Sequence, residues 1–127
     1  MIRLFLAFTS FLPLKTNHSF GSFIGYLLYL FNSEAKSVSK QNLEICFPGL
    51  SEFELKSLLK KVLTETGKGL TESGLIWNQN FTDNAKLIRN INGEHYLDSS
   101  KKTILLVPHM GCWEITGRVL AEKRKVT

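Results

Sequence analysis

One histidine in this sequence stands where an imidazole can take a proton from a hydroxyl. It is His109, and an acid, Glu114, follows five residues later in Pro108-His109-Met110-Gly111-Cys112-Trp113-Glu114. The other two histidines lack such a partner: five after His18 is Phe23, and five after His95 is Ser100. The spacing has a geometric meaning. At about 100° per residue, positions five apart on one helix point about 140° apart. The pair therefore meets only if His109 lies in a turn and Glu114 in the first turn of the helix behind it, with Gly111 giving the backbone freedom for the bend. A carboxylate so placed accepts the imidazole proton, fixes the tautomer and stabilises imidazolium. The other ring nitrogen is then free to activate an alcohol as a general base. A nearby helix N-terminus disfavours a resting imidazolium, which suits the same role. His109 and Glu114 are thus the candidate catalytic residues. The plainer alternative is a histidine satisfied by a backbone carbonyl, with Glu114 an ordinary helix-start acid. Cys112 offers a rival chemistry, since a thiol at a helix start near a histidine can be a nucleophile. Trp113 reads as a packing residue and His95 as a surface residue.

Positioning this pair needs a strand, a tight turn and a helix. Thr103-Ile104-Leu105-Leu106-Val107 is a continuous apolar, β-branched run of the kind that fills a buried parallel strand. Pro108 ends it, so His109 falls at the carboxyl end of the strand, where open α/β sheets place ligands. Residues 114–124 can form the following helix. Leu87-Ile88-Arg89-Asn90-Ile91 reads as a second short strand ended by Asn92-Gly93, and Glu94 to Ser100 as a helical turn. Strand, turn and helix in that order are half of a βαβ unit. The fold class expected for this part is therefore α/β.

Upstream the pattern is helical. Asn32-Ser33-Glu34 is a helix-start signal, Ala35 to Cys46 a short basic helix, and Phe47-Pro48-Gly49 its stop. Ser51 and Glu54 form a capping-box pattern ahead of Phe53, Leu55, Leu58, Leu59, Val62 and Leu63 at helical spacing. Past Gly67 and Gly69 the periodicity continues to Trp77, so residues 51–77 are one long helix or two consecutive ones. Residues 1–31 are the most apolar part of the chain. Their two runs, Leu4 to Leu14 and Phe20 to Phe31, each fall short of the roughly 20 residues a spanning helix needs. Three readings stay open: a broken membrane anchor with Pro13 and Gly21 at the break, a pair of interfacial helices, or a buried core hairpin. The aromatics, among them Phe5, Phe8, Phe11, Phe20, Phe23, Tyr26, Tyr29 and Phe31, suit a membrane boundary. Residues 1–31 are accordingly expected to be a membrane-associated segment.

The chain has 127 residues, about one domain's worth. With 43% apolar and 21% charged residues and only two cysteines, it is not collagen-like, disulfide-stapled or fully disordered. Sixteen Lys and Arg against eleven Asp and Glu give a net charge of +5, which favours anionic partners such as phosphate head groups, nucleic acid or an acidic protein. Cys46 and Cys112 form no metal-ligand pattern with the histidines and read as two reduced thiols.

Taken together, these motifs resemble the bacterial lipid A biosynthesis acyltransferases, the lauroyl/myristoyl transferase family, within a wider group of glycerolipid acyltransferases sharing a His-x4-Asp/Glu motif. His109 and Glu114 match its two functional positions. Pro108 to Glu114 resembles the family's His-x-Gly-Asn-Trp-Glu block, with Cys112 where Asn is common. Asn42-Leu43-Glu44-Ile45-Cys46-Phe47-Pro48 is similar to its Asn-Leu-x-x-Cys-Phe-Pro segment, followed by the Ser-x-x-Glu start at Ser51 to Glu54. Leu12-Pro13, Gly21 to Gly25 and Gly93-Glu94-His95 also fit in order. The resemblance implies transfer of a fatty acyl chain from acyl carrier protein to a hydroxyl of a lipid A precursor, at the cytoplasmic face of the bacterial inner membrane. It implies no cofactor, no metal and no nucleic acid. It also implies that residues 32–127 are the N-terminal part of a glycerolipid-acyltransferase-like α/β domain. Family members are roughly twice a domain of this size, so the chain reads as truncated and inactive alone. Two other readings stay open: a non-catalytic membrane-surface interaction protein, and an acyltransferase acting on another glycolipid such as a phosphatidylinositol mannoside. A hydrolase using Cys112 is a third.

Overall fold

The computed structural model describes residues 2–96 and 104–123. Its elements are six helices: α1 (Ile2–Ser10), α2 (Leu14–Leu30), α3 (Glu34–Cys46), α4 (Glu52–Asn78), α5 (Phe81–Ala85) and α6 (Glu114–Lys123), with a 3-10 turn at Glu94–Tyr96. The central element is α4. At 1.5 Å per residue its 27 residues reach about 40 Å, and α1, α2, α3, α5 and α6 all contact it.

The helix starts follow their local signals. Ser51 Oγ accepts from the Glu54 N–H at 3.3 Å, and Glu54 Oε2 accepts from the Ser51 N–H at 2.9 Å, closing the capping box. Ser33 Oγ accepts from the Lys36 N–H at 3.2 Å and opens α3. Pro13 stands between α1 and α2, and its carbonyl accepts the Asn17 N–H at 2.9 Å. Residues 51–77 resolve as one helix, because neither Gly67 nor Gly69 interrupts it.

Gly21 is no break either. It lies inside α2, where the backbone crosses α4 so closely that a Cβ at Gly21 would fall 2.6 Å from the Lys68 Cα. A Cβ at Gly25 would collide with the Leu63 carbonyl, and one at Gly67 with the backbone of Gly21 and Gly25. Asn17, fully buried, ties the junction of three helices. Its Nδ2 donates to the carbonyls of Thr9 (3.0 Å) and Thr71 (3.1 Å). Leu43, Leu59 and Leu63 form the core at one end of α4, packed by Leu28, Tyr29 and Ala35. Leu75, Ile76 and Val119 are buried at the other end.

Two expectations are corrected. The chain is not α/β over its described residues. Leu87–Ile91 and residues 104–107 form no strand; Thr103, the first residue of the expected second strand, lies outside the described residues. The physical reason is pairing: a strand needs a neighbour for its N–H and C=O groups and cover on its faces. Among the described residues neither run is paired into a ladder, and Ile104 and Leu106 are 90% and 92% exposed. Nor does a membrane-spanning helix form at the N-terminus. No helix among the described residues is long and apolar enough to cross a membrane. The 17 residues of α2 reach about 25 Å against a hydrocarbon thickness near 30 Å, and α1 and α2 both pack on α4.

Candidate active site

The segment before α6 is shaped as a tight turn. The Met110 N–H donates to the Pro108 carbonyl at 2.8 Å, a three-residue turn with His109 at its apex. Gly111 follows at φ +57°, a left-handed conformation that a residue with a Cβ adopts only at a cost. The chain then winds into α6 through the Ile115 N–H to Cys112 carbonyl (3.3 Å) and Thr116 N–H to Trp113 carbonyl (3.0 Å) bonds. The result is a histidine in a turn and an acid in the first helical turn, as the five-residue spacing requires.

His109 is exposed, and its ring stands 5.0 Å from the Trp113 ring at 41°. Glu114 faces the other way, onto α4. Its Oε2 accepts from Ser73 Oγ at 3.0 Å and its Oε1 from Trp77 Nε1 at 3.3 Å. Among the described residues no hydrogen bond joins His109 to Glu114. A carboxylate offers about four acceptor positions, and the two bonds from α4 leave capacity for a third donor.

The groups on α4 were not found from sequence. Ser73 and Trp77 are four apart on one helix face, one above the other, but nothing in their spacing reveals an acid 41 and 37 residues downstream. Glu72, beside Ser73, is hydrogen-bonded to His18 Nε2 of α2. Arg118, one turn beyond Glu114, donates to the Gln79 carbonyl at 3.1 Å and fastens α6 to the end of α4.

Cys112 is a poor nucleophile in this setting. Desolvation pushes its thiol up to about 11, and the adjacent carboxylates of Glu72 and then Glu114 act in the same direction. The thiolate needed for attack is therefore scarce near neutral pH. The residue lines a cavity of about 480 Å³ whose apolar walls include Leu75, Ile76, Ile88 and Ile115. A second open cavity, about 650 Å³, lies against the apolar run before His109 and is lined by Leu105, Leu106, Val119 and Leu120. Among the described residues no group of three His, Cys, Asp or Glu could hold a metal ion. His95 is exposed beside Tyr96.

A family model described as bacterial lipid A biosynthesis acyltransferase matches residues 2–127. The chain is 33% identical over 98 residues to a lipid A biosynthesis lauroyltransferase of Escherichia coli (strain K12), covering 76% of this chain and 32% of that protein. It is 26% identical over 107 residues to a lipid A biosynthesis acyltransferase of Haemophilus influenzae, covering 81% of this chain and 33% of that protein. The chain thus spans about a third of the length of these curated relatives. No solved structure matches it.

Proposed function

This chain belongs to the bacterial lipid A biosynthesis acyltransferase family, and from that premise we propose that it carries the catalytic turn of an enzyme transferring a fatty acyl chain to a hydroxyl of a lipid A precursor. The donor is acyl carrier protein, and the site works at the cytoplasmic face of a bacterial inner membrane. The net charge of +5 supports an acidic donor and a phosphorylated acceptor.

In this reading His109 is the general base. Its free ring nitrogen takes the proton of the acceptor hydroxyl as the oxygen attacks the thioester carbonyl. The new C–O bond forms and the C–S bond breaks. The proton passes from imidazolium to the departing thiolate, so the base is regenerated and no acyl-enzyme is formed. In this reading Glu114, in the first turn of the helix behind His109, is the negative charge that favours imidazolium as it develops. The observation that carries the proposal is the exposed imidazole at the apex of a three-residue turn, directly before a helix whose first residue is an anchored carboxylate.

The test is acyl transfer from a carrier-protein thioester to a phosphorylated glucosamine lipid. His109→Ala is expected to lower kcat by about 10²–10⁴-fold, with helix content unchanged by circular dichroism. Transfer at the wild-type rate would remove His109 from the mechanism.

A further inference from the structure

The His109 ring lies against an aromatic partner supplied by its own turn. The Pro108 carbonyl accepts the Met110 N–H at 2.8 Å, and Gly111 at φ +57° then reverses the chain. Residues 109 and 113 stand on either side of this bend, and their rings meet with centroids 5.0 Å apart and planes at 41°. That separation falls in the range of about 4.5–7 Å where aromatic pairs attract. The two rings differ in cover. His109 is exposed, whereas Trp113 is 38% exposed, so most of the indole residue is covered. The Trp113 carbonyl accepts the Thr116 N–H at 3.0 Å at the entry into α6. Glu114 and Arg118 fasten that helix to α4 and its end. The indole is therefore the better held of the two rings.

We propose that Trp113 is a positioning residue for the transfer site, its indole steadying the exposed imidazole of His109 through direct ring contact. The proposal rests on the general-base reading above. A histidine side chain has two rotatable bonds, the second with only a broad preference, so an exposed ring on a turn samples many directions. An indole against it narrows that range, and the orientation of a reacting group is itself a rate factor. The contact also strengthens during reaction. An aromatic π-system attracts a cation within about 6 Å of its centroid, so the pair gains as imidazole becomes imidazolium. An interaction stronger in the transition state than in the ground state raises kcat and leaves KM alone.

Trp113→Leu is expected to lower kcat about two- to tenfold with KM unchanged, and Trp113→Phe, which keeps a π-face, to restore most of the loss. Adding Trp113→Leu to His109→Ala is expected to change the residual transfer no further, because the imidazole it acts through is gone. If His109→Ala transfers at the wild-type rate, the general-base reading fails. If His109→Ala is slow while Trp113→Leu keeps wild-type kcat, or if the two losses multiply in the double variant, the positioning role is overturned. A spectroscopic readout needs no activity. The His109 ring-proton resonances of the full chain are expected to be displaced by the indole ring current. They should return toward those of a histidine in an unfolded chain in Trp113→Leu and stay displaced in Trp113→Phe. Ring resonances that are the same with and without the indole overturn the contact, and the proposal with it, whatever happens to transfer.

Discussion

The two halves of the chain obey different kinds of instruction. From α1 to α4 the backbone is packed to the point of collision. Gly21 and Gly25 on α2 and Gly67 on α4 leave no room for a single added carbon. From residue 87 to 113 the described backbone has only one 3-10 turn, and Ile104, Leu106 and Met110 are largely bare. The first half is specified by short-range signals and by close crossings of α4, by α2 at Gly67 and by α1 at Gly74. The second carries the candidate chemistry on a turn whose apolar flank is largely exposed, beside an open cavity it shares with α6. The candidate site lies in the loosely packed region, and Glu114 alone of its two residues is bonded to the tight one, through Ser73 and Trp77.

The sharpest way to break this contrast is to add one methyl group at the crossing. Gly25→Ala or Gly67→Ala places a Cβ into opposing backbone, which cannot rotate away. The expected cost is about 3 kcal/mol or more, read as a lower urea midpoint by far-UV circular dichroism. Wild-type stability in both would mean that α2 and α4 do not cross this closely.

Matched leucines test the same contrast from the side of burial. Leu63 is fully buried, and Leu63→Ala is expected to cost about 2–5 kcal/mol. Leu106 is 92% exposed, and Leu106→Ala is expected to stay within about 0.5 kcal/mol. Equal losses in the two would show that the segment before His109 is packed after all.

Gly111→Ala probes the turn alone. A Cβ there meets no atom within 4 Å, so the cost comes only from the positive φ. About 1 kcal/mol is expected. The larger effect falls on the turn, visible as shifts of the His109 and Trp113 ring resonances. Unmoved resonances would mean that the left-handed residue does not set the turn.

The legible parts of the fold were those whose cause is local. Ser33, Ser51 with Glu54, Pro13 and Pro48 start or stop helices through bonds to near neighbours, so their spacing in sequence is enough. Gly111 was legible for the same reason, because a bend between His109 and Glu114 must be made by the residues between them. The strands were misread because apolar, β-branched residues report a demand for burial, while a strand also needs a partner far away in sequence. A break at Gly21 stayed open among three readings because a glycine that relieves a close crossing and one that ends a helix look alike until the second helix is placed. Of the candidate site, the spacing of His109 and Glu114 named the two residues and required a turn followed by a helix start, but did not predict that Glu114 bonds α4 rather than the imidazole. Their surroundings were not legible: Ser73, Trp77, Glu72 and His18 bear on the site only through contacts spanning 37 to 54 residues.

The smallest effect to seek is chemical, and it sits at the seam between the two regions. Cys46 and Cys112 are both free and exposed as residues, yet the Cys112 thiol is pushed from about 9 to about 11, first by desolvation and next by Glu72. Folding therefore favours the protonated thiol. That contribution is complete below the ordinary value near 9 and is lost as pH rises through 11. The difference in unfolding free energy between the native sequence and Cys112→Ser is thus expected to fall between pH 9 and 11 and to be flat below. In the same window iodoacetamide is expected to modify Cys46 first, with Glu72→Gln speeding reaction at Cys112 several-fold. Equal rates at the two thiols in the native sequence would mean that the Cys112 thiol is not desolvated in the folded chain, and an unchanged rate in Glu72→Gln that Glu72 does not reach it.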